Sequence, residues 1–173
     1  MRLLGAVLAG GMSSRFGSDK AMAVLDGGSL LDRVCAALAP QCDAVCVVGR
    51  DTVGRNAVQD WPGAGLGPLG GLAGALRHAR DEGFGEVLTS AVDIPDLPSD
   101  LAGQLGPGPA FVADQPVVGR WRTADLPLLE AILQGAGRRS MHAFARACSA
   151  RPVALRAPLA NINTPEDLAH FAR

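Results

Sequence analysis

Apolar runs and helix-like spacing alternate along the chain. The segment from Arg2 to Ala9 is apolar after its first residue and ends at a glycine pair. Such a continuous run is typical of a strand buried on both faces of a parallel sheet. Runs of the same kind occur at Ala44 to Gly49 and Glu86 to Asp93, and a shorter one at Gln115 to Trp121. We predict a strand at each of these positions.

The segments between these runs carry helical spacing. Leu30, Leu31, Val34 and Leu38 recur at that spacing after Ser29, a residue that commonly caps helix N-termini, and Pro40 would stop the helix. Because strands and helices alternate, we predict an α/β fold: a three-layer α/β/α sandwich with a Rossmann-like, mostly parallel sheet. Further helices are predicted over Pro68 to Gly83, Asp125 to Leu133, Met141 to Cys148 and Pro165 to Ala172.

Composition and charge narrow the class of protein. A chain of 173 residues that is 48% hydrophobic fits one domain, residues 1–173. The net charge of −1 provides no general basic field for nucleic acid or an anionic membrane. The N-terminal apolar run is too short to span a membrane and does not resemble a signal peptide, so we expect a cytoplasmic protein. The four cysteines form no CxxC pair, and we expect buried free thiols.

The loop after the first strand is the first candidate site, because ligands of such sheets bind at the carboxyl ends of the strands. In VLAGGMSSRFGSDKA, Gly10 and Gly11 would let backbone N–H groups approach an anion, and Arg15 and Lys20 supply positive charge. The spacing matches neither a P-loop nor a Rossmann fingerprint. The loop is therefore either a polyphosphate site or a tight turn with two solvated cations.

Two later segments carry weaker signals. A literal GxGxxG pattern spans Gly65 to Gly70, but only a short, weakly apolar segment precedes it, which favours a turn entering a helix over a dinucleotide site. Asp93 follows the third strand and precedes Ile94 and Pro95, which should direct its side chain into the crevice at the strand ends. A carboxylate beside a phosphate loop suggests a Mg²⁺ ligand; a cap of a turn or helix is the alternative.

Four segments together carry a resemblance that spans nearly the whole chain: LAGGMSSRFGSDKA, GPLGGLAGAL, VDIPDLP and NINTPEDLAHF. In this combination the sequence resembles the molybdenum cofactor guanylyltransferase family, which has the nucleotide-diphospho-sugar-transferase type of fold. The opening pattern of that family, L-A-G-G followed by R-x-G-x-D-K, is matched here by Leu8, Ala9, Gly10, Gly11, Arg15, Gly17, Asp19 and Lys20.

The resemblance implies a role for each matching residue. Lys20, Arg15 and Asp93 would be catalytic, with Asp93 also the Mg²⁺ ligand. Asn161 and Asn163 match an N-x-N-T-P segment that would bind the acceptor; a helix cap explains Thr164 and Pro165 of that segment but not the two asparagines. The implied nucleotide-binding residues are Leu8, Ala9, Gly10, Gly11, Lys20, Asp60, Gly67 and Asp93.

The implied reaction is GMP transfer from GTP to the terminal phosphate of molybdopterin, with release of pyrophosphate. Mg²⁺ would be the cofactor, GTP and a molybdopterin-type acceptor the substrates, and other molybdenum-cofactor proteins further candidate partners. Gly10 favours guanine, because related cytidylyltransferases tend to carry a small non-glycine residue there. CMP transfer, transfer to another small phosphate acceptor, and a non-catalytic nucleotide-binding accessory protein are the alternatives.

The chain departs from the family pattern at a few positions. Gln115 stands where a His-Pro pair is usual, in the acceptor half of the predicted crevice. Val92 replaces a common cysteine before the metal-binding aspartate, and Val48 or Gly49 stands where some relatives carry a nucleotide-contacting asparagine. The departure at Gln115 bears on the identity of the acceptor, and the one after the second strand on contacts with the base.

Overall fold

The computed structural model describes residues 1–11 and 17–172. Within these residues the strands are β1 (Leu3–Leu8), β2 (Val24–Leu25), β3 (Gly28–Ser29), β4 (Ala44–Val48), β5 (Asn56–Val58), β6 (Glu86–Ala91), β7 (Ala110–Val112), β8 (Gln115–Arg122) and β9 (Arg151–Val153). Seven of them form one sheet in the order β5-β4-β1-β6-β8-β7-β9, and β2 and β3 form a separate two-stranded hairpin.

Helices cover both faces of this sheet. The helices are α1 (Leu30–Leu38), α2 (Gly67–Asp81), α3 (Leu101–Leu105), α4 (Leu126–Gln134), α5 (Met141–Ala147) and α6 (Pro165–Phe171). Of the seven strands, β8 is antiparallel to its neighbours β6 and β7, and the others share one direction. The predicted α/β fold with a mostly parallel sheet is confirmed.

Alternate residues of β1 show how one strand serves two cores. Leu4 and Leu8 belong to the cluster that α2, α4 and α5 cover, whereas Leu3 and Val7 belong to the cluster that α1 and α3 cover on the other face. Val7 and Leu4 are fully buried. A strand that is buried on both faces reads as a continuous apolar run, which is why the sequence predicted β1 correctly.

Local signals placed several helix ends. Ser29 caps α1, accepting a hydrogen bond from Asp32 N at 3.0 Å. Thr164 caps α6 as the alternative interpretation expected, and Asp167 completes a capping box by accepting from the Thr164 backbone N–H. The cap and its first turn therefore hold the chain immediately after the two asparagines.

The sequence prediction differs from the structure mainly in short elements. It did not include β5, β7, β9, α3 or the β2-β3 hairpin, which have between two and five residues each. The strand predicted at Gln115 to Trp121 is β8, which at 8 residues is longer than β1 or β6.

Two expectations about the chemistry of the chain are also addressed by the fold. Cys35, Cys46 and Cys148 are buried free thiols and Cys42 is half-buried and free, as predicted in the main. Burial raises the pKa of the Cys46 thiol to about 12.

Within the part of the chain that the structure describes, no helix is long and apolar enough to cross a membrane.

Candidate active site

An open pocket lies where β1 and β6 end. The two strands are adjacent and parallel, with Leu8 opposite Ala91, so the loops that follow them leave the same edge of the sheet. The residues around the pocket come from three places: Leu8 to Gly11 after β1, Asp19 to Ala21 further along the same loop, and Ala91 to Asp93 after β6. The structure therefore brings the predicted glycine pair, Lys20 and Asp93 to one pocket.

A distant segment near the end of the chain joins this pocket. Asn161 Nδ2 donates to Asp93 Oδ2 at 3.0 Å, and Lys20 Nζ donates to Asn163 Oδ1 at 3.3 Å. Between the two asparagines, Ile162 is fully buried in a cluster with Leu25 and Leu30. Ile162 thus anchors the segment while the asparagine on either side of it contacts one charged group of the pocket.

Asp93 is held by its backbone as well as its side chain. Ile162 N donates to Asp93 O at 2.7 Å, which adds to the side-chain bond from Asn161. Among residues 1–11 and 17–172, no group donates a hydrogen bond to the second carboxylate oxygen, Oδ1. Asp93 is half-buried. The carboxylate is therefore oriented through one oxygen, and the other has capacity for a further ligand.

Lys20 begins a short 3₁₀ turn, Lys20–Met22, that an ion pair fixes in place. Asp19 caps the turn by accepting from Ala21 N at 3.2 Å. Arg50, just after β4, donates to both oxygens of Asp19, at 2.9 Å and 2.5 Å. The hydrogen bonds from Arg50 lower the pKa of the Asp19 carboxyl. The pair ties the Lys20 turn to the edge of the sheet.

Sequence reasoning did not single out Arg50. Its one available signal is its position directly after the second predicted strand, where side chains of such sheets reach the ligand edge. An arginine matches a carboxylate with two parallel hydrogen bonds, and the structure shows this geometry with Asp19. Arg50 therefore holds Asp19, a residue that lines the pocket.

The loops after β1 and β4 touch through glycine. Gly49 has a φ of +85°, and a Cβ built on it would lie 2.7 Å from Gly10 Cα and 2.9 Å from Asp60 Oδ1. No real side chain fits at these distances. The space that a side chain at position 49 would need is therefore filled by the backbone of Gly10 and the carboxylate of Asp60.

Asp60 lies behind Gly49, next to the beginning of α2. A Cβ on Gly71 would be 3.7 Å from Asp60 Oδ1, and one on Gly74 would be 2.2 Å from the carbonyl oxygen of Gln59. The glycines of α2 therefore let the helix lie directly against the backbone that carries Asp60. Burial raises the pKa of the Asp60 carboxyl. Keeping this carboxylate ionised therefore lowers the stability of the folded protein unless a ligand donates hydrogen bonds to it.

The predicted site residues thus fall into two groups. Leu8, Ala9, Gly10, Gly11, Lys20 and Asp93 line one pocket, with Asn161 and Asn163 bonded to its charged groups. Asp60 and Gly67 lie further along the same edge, and Gly67 opens α2 with a φ of +65°. The GxGxxG segment is the turn that enters α2, as predicted. Arg15 lies outside the described residues.

The donor set near Asp93 limits how a metal could bind. Within the described residues, no cluster of three or more His, Cys, Asp or Glu side chains could hold a metal ion. Mg²⁺ is commonly bound through one or two carboxylates together with substrate phosphate oxygens. The oriented carboxylate of Asp93 fits that mode, in which the nucleotide itself supplies ligands.

The sequence matches a known protein family over most of its length. The model of the MobA-like NTP transferase domain matches residues 5–153. This chain belongs to that family. A molybdenum cofactor guanylyltransferase of Rhodobacter capsulatus is 37% identical over 180 residues, covering 98% of this chain and 94% of its own length. A probable molybdenum cofactor guanylyltransferase of Deinococcus radiodurans is 37% identical with the same coverage.

Solved structures of MobA-like and related transferases share the fold. Molybdopterin-guanine dinucleotide biosynthesis protein A from Archaeoglobus fulgidus matches with a TM-score of 0.74 at 24% identity, over 98% of this chain and 96% of that one. The 2-C-methyl-D-erythritol 4-phosphate cytidylyltransferase of Thermus thermophilus matches with a TM-score of 0.66 at 18% identity, over 99% and 96%. At these identities the likeness concerns the fold of MobA-like transferases, and it supports the predicted nucleotide-diphospho-sugar-transferase type.

Proposed function

We propose that this chain transfers GMP from GTP to the terminal phosphate of a molybdopterin-type acceptor. An oxygen of the acceptor phosphate would form a bond to the α-phosphorus of GTP, the bond from that phosphorus to the β-phosphate oxygen would break, and pyrophosphate would leave. The observation that carries the proposal is that the Leu8–Gly11 loop, Lys20 and Asp93 line one and the same pocket. The named relatives supply the substrate class.

The charges of the pocket suit a reaction between two anions. We assign Lys20 and Arg15 to the triphosphate, where they would offset the repulsion between the substrates and stabilise charge on the leaving pyrophosphate. The backbone of Leu8, Ala9, Gly10 and Gly11 would bind the nucleotide, since glycine allows N–H groups to approach phosphate closely. Asp60 and Gly67 would complete the nucleotide side of the site.

Asn161 and Asn163 are proposed to bind the acceptor. Each already contacts a charged group of the nucleotide side, Asp93 and Lys20 respectively. An acceptor phosphate placed between the asparagines would therefore lie close to the groups that hold the α-phosphate. A phosphate nucleophile is already ionised near neutral pH, so the proposal requires no general base.

The residues present fit Mg²⁺ as the cofactor. Asp93 Oδ1 would be its protein ligand, because Oδ2 is engaged by Asn161. When bound, Mg²⁺ would neutralise charge on the phosphates and polarise the reacting phosphoryl group. Asp93 itself orients the metal position, and Asn161 orients Asp93. We further propose that the chain acts as one domain in the cytoplasm, whose reducing conditions suit four free thiols.

The test is pyrophosphate release by the purified protein with Mg²⁺, a molybdopterin-type acceptor, and GTP or CTP in parallel. We expect release with GTP. Asp93→Asn should lower turnover by about 100-fold or more, because it removes the anionic ligand. Asp81→Asn is the matched control, since Asp81 is exposed at the end of α2 and pairs with its neighbour Arg80.

The other outcomes separate the alternatives. Release with CTP in place of GTP would assign the chain to CMP transfer. Release with neither nucleotide, although GTP binds, would indicate another acceptor or a nucleotide-binding accessory protein. Unchanged Mg²⁺-dependent turnover of Asp93→Asn would refute the metal assignment.

A further inference from the structure

Gln115 reaches the active-site edge because β8 is antiparallel. β6 and β8 pair with Glu86 opposite Arg122 and Thr89 opposite Gly119. Continuing that register brings the first residue of β8, Gln115, to the level of Asp93, beyond the last residue of β6. The parallel strands deliver their carboxyl ends to this edge, whereas β8 delivers its beginning.

A chain of hydrogen bonds connects Gln115 to Asp93 through one amide group. Gln115 Nε2 donates to Asn161 Oδ1, and Asn161 Nδ2 donates to Asp93 Oδ2 at 3.0 Å. All three residues are half-buried. An asparagine amide has one accepting end and one donating end, so a donor on its oxygen turns its NH₂ group toward the other partner.

We propose that Gln115 is a positioning residue that sets the orientation of the Asn161 amide and thereby holds Asp93 ready for the metal. This inference rests on the proposed function. With Gln115 donating, Asn161 presents NH₂ to Asp93, engages Oδ2 and leaves Oδ1 for the cation. With the amide reversed, Asn161 Oδ1 would face Asp93 Oδ2, and two acceptors would repel each other.

The requirement at position 115 is therefore an N–H donor and not glutamine as such. An imidazole ring can also donate an N–H. The histidine that is usual in the family at this position could meet the same requirement, which gives a physical reason for the departure at Gln115. On this interpretation the departure preserves the support of Asp93, and it says nothing against a molybdopterin-type acceptor.

The experiment measures how strongly a divalent cation and the nucleotide assist each other's binding. The probe is a GTP analogue with a methylene group between the α- and β-phosphorus, which cannot release pyrophosphate. Its Kd is measured by calorimetry without metal and with Mn²⁺, and the ratio of the two values is the coupling factor. The intrinsic affinity of Mn²⁺ for the analogue is the same for every variant, so differences between variants report on the protein.

Four variants test the donor requirement. Gln115→His should keep the coupling factor near that of the natural protein. Gln115→Met keeps the size and removes the donor, and we expect the factor to fall about fivefold, the effect of one hydrogen bond. Gln115→Glu replaces the donor with an acceptor, and we expect a fall of about 10- to 100-fold, as for other supports of metal ligands. Gln134→Glu, at the exposed end of α4, should change nothing.

Gln115→Glu separates orientation from simple electrostatics. A negative charge added near Asp93 would by itself attract the cation and raise the coupling factor. The positioning role predicts the opposite sign. Circular dichroism of Gln115→His and Gln115→Glu shows whether both remain folded, and the comparison of these two variants does not depend on Gln115→Met.

Failure of the inference is distinguishable from failure of the proposed function. If Asp93→Asn leaves the coupling factor unchanged, then Asp93 does not hold the metal and the proposed function loses its metal site. If Asp93→Asn abolishes coupling while Gln115→Glu retains or increases it, then the metal site stands and the positioning role of Gln115 is overturned. Equal loss with Gln115→His and Gln115→Glu would also overturn it.

Discussion

The two sides of the candidate active site differ in the contacts that form them: one consists mainly of close backbone contacts and the other of hydrogen bonds between side chains. On the proposed nucleotide side, Gly10, Gly49 and the glycines of α2 bring backbone against backbone, and the half-buried side chain of Asp60 lies next to them. On the proposed acceptor side, side chains from separate parts of the chain meet through hydrogen bonds: Asn161 contacts Asp93, and Asn163 contacts Lys20. The nucleotide side therefore depends on glycines, which lack side chains, whereas the acceptor side depends on how its side chains are oriented.

This difference determines how each side fails. A site made of close backbone contacts tolerates no added atom, because protein interiors are too tightly packed to absorb one. A site made of a side-chain relay tolerates a change of residue, provided that the donor and acceptor pattern is kept. Added side-chain atoms should therefore have severe effects on the proposed nucleotide side, whereas the effect of a substitution on the proposed acceptor side should depend on whether it keeps the donor and acceptor pattern.

The largest effect is expected where the two sides meet, at Lys20. We expect Lys20→Ala to lower kcat/KM by about 100- to 1,000-fold, since a charge that stabilises the transition state is lost. Lys20 is the only lysine in the sequence. Pyridoxal phosphate followed by reduction should therefore label Lys20 and the N-terminal amine and no other lysine, and peptide mapping would locate the label. We expect GTP to protect Lys20 from labelling. Labelling of Lys20 that GTP does not slow would contradict its assignment to the triphosphate.

An intermediate effect is expected from adding one carbon to the nucleotide side. Gly49→Ala would place a Cβ 2.7 Å from Gly10 Cα at a φ of +85°. We expect a loss of stability of roughly 2–4 kcal/mol and GTP binding weakened by about 10- to 100-fold.

The matched control for this substitution is Gly54→Ala. Gly54 has a φ of +73° and nothing within 4 Å of a built Cβ, so the variant carries the backbone strain without the contact. It should cost about 1–2 kcal/mol and leave GTP binding unchanged. Chemical denaturation and calorimetry give the two quantities, and equal effects of Gly49→Ala and Gly54→Ala on GTP binding would rule out the close approach as the cause.

The smallest effect is expected from Asp60→Asn, which should raise the stability of the folded protein but weaken GTP binding. Burial raises the pKa of Asp60 above its ordinary value of 3.8, so ionisation at neutral pH costs the folded state stability. Asp60→Asn should therefore raise Tm slightly at pH 7 while weakening GTP binding by about tenfold.

The pH dependence of this effect has a definite sign. Below the ordinary pKa both the folded and the unfolded chains carry a neutral Asp60, and the variant and the natural protein should have similar Tm values. The advantage of Asp60→Asn should grow as pH rises through the raised pKa and then level off. Scanning calorimetry over roughly four pH units, from about pH 3.5 to about pH 7.5, would measure the difference in Tm between Asp60→Asn and the natural protein. A Tm difference that stays constant across this range would contradict the prediction.

The elements that the sequence predicted are those with local signals. β1, β4 and β6 are apolar runs of five or six residues, and Ser29 marks the start of α1 by its own hydrogen bond. β5, β7 and β9 have three residues each, which is too few for a periodic pattern. Their strand conformation depends on the neighbouring strands that they pair with, and no local pattern encodes that.

The same distinction applies to the active site. The loop after β1 could be identified as a candidate from sequence because its glycines and charged residues lie within one short segment. The contacts of Asn161 and Asn163 span 68 and 143 residues, and the sequence offered only a resemblance for their role. Gln115 was noted as a departure, but its place beside Asp93 follows from the reversed direction of β8, and Arg50 was missed because its partner Asp19 lies on another loop.

The anchoring of Asn161 and Asn163 by Ile162 affects when the pocket can assemble during synthesis of the chain. Synthesis proceeds from the N-terminus, so Lys20 leaves the ribosome long before Asn163, which follows it by 143 residues. Until Ile162 packs with Leu25 and Leu30, a nascent chain lacks both asparagine contacts. The contacts that Asn161 and Asn163 make with Asp93 and Lys20 can therefore form only after residue 163 has left the ribosome, so the pocket is assembled late relative to the synthesis of its first residues.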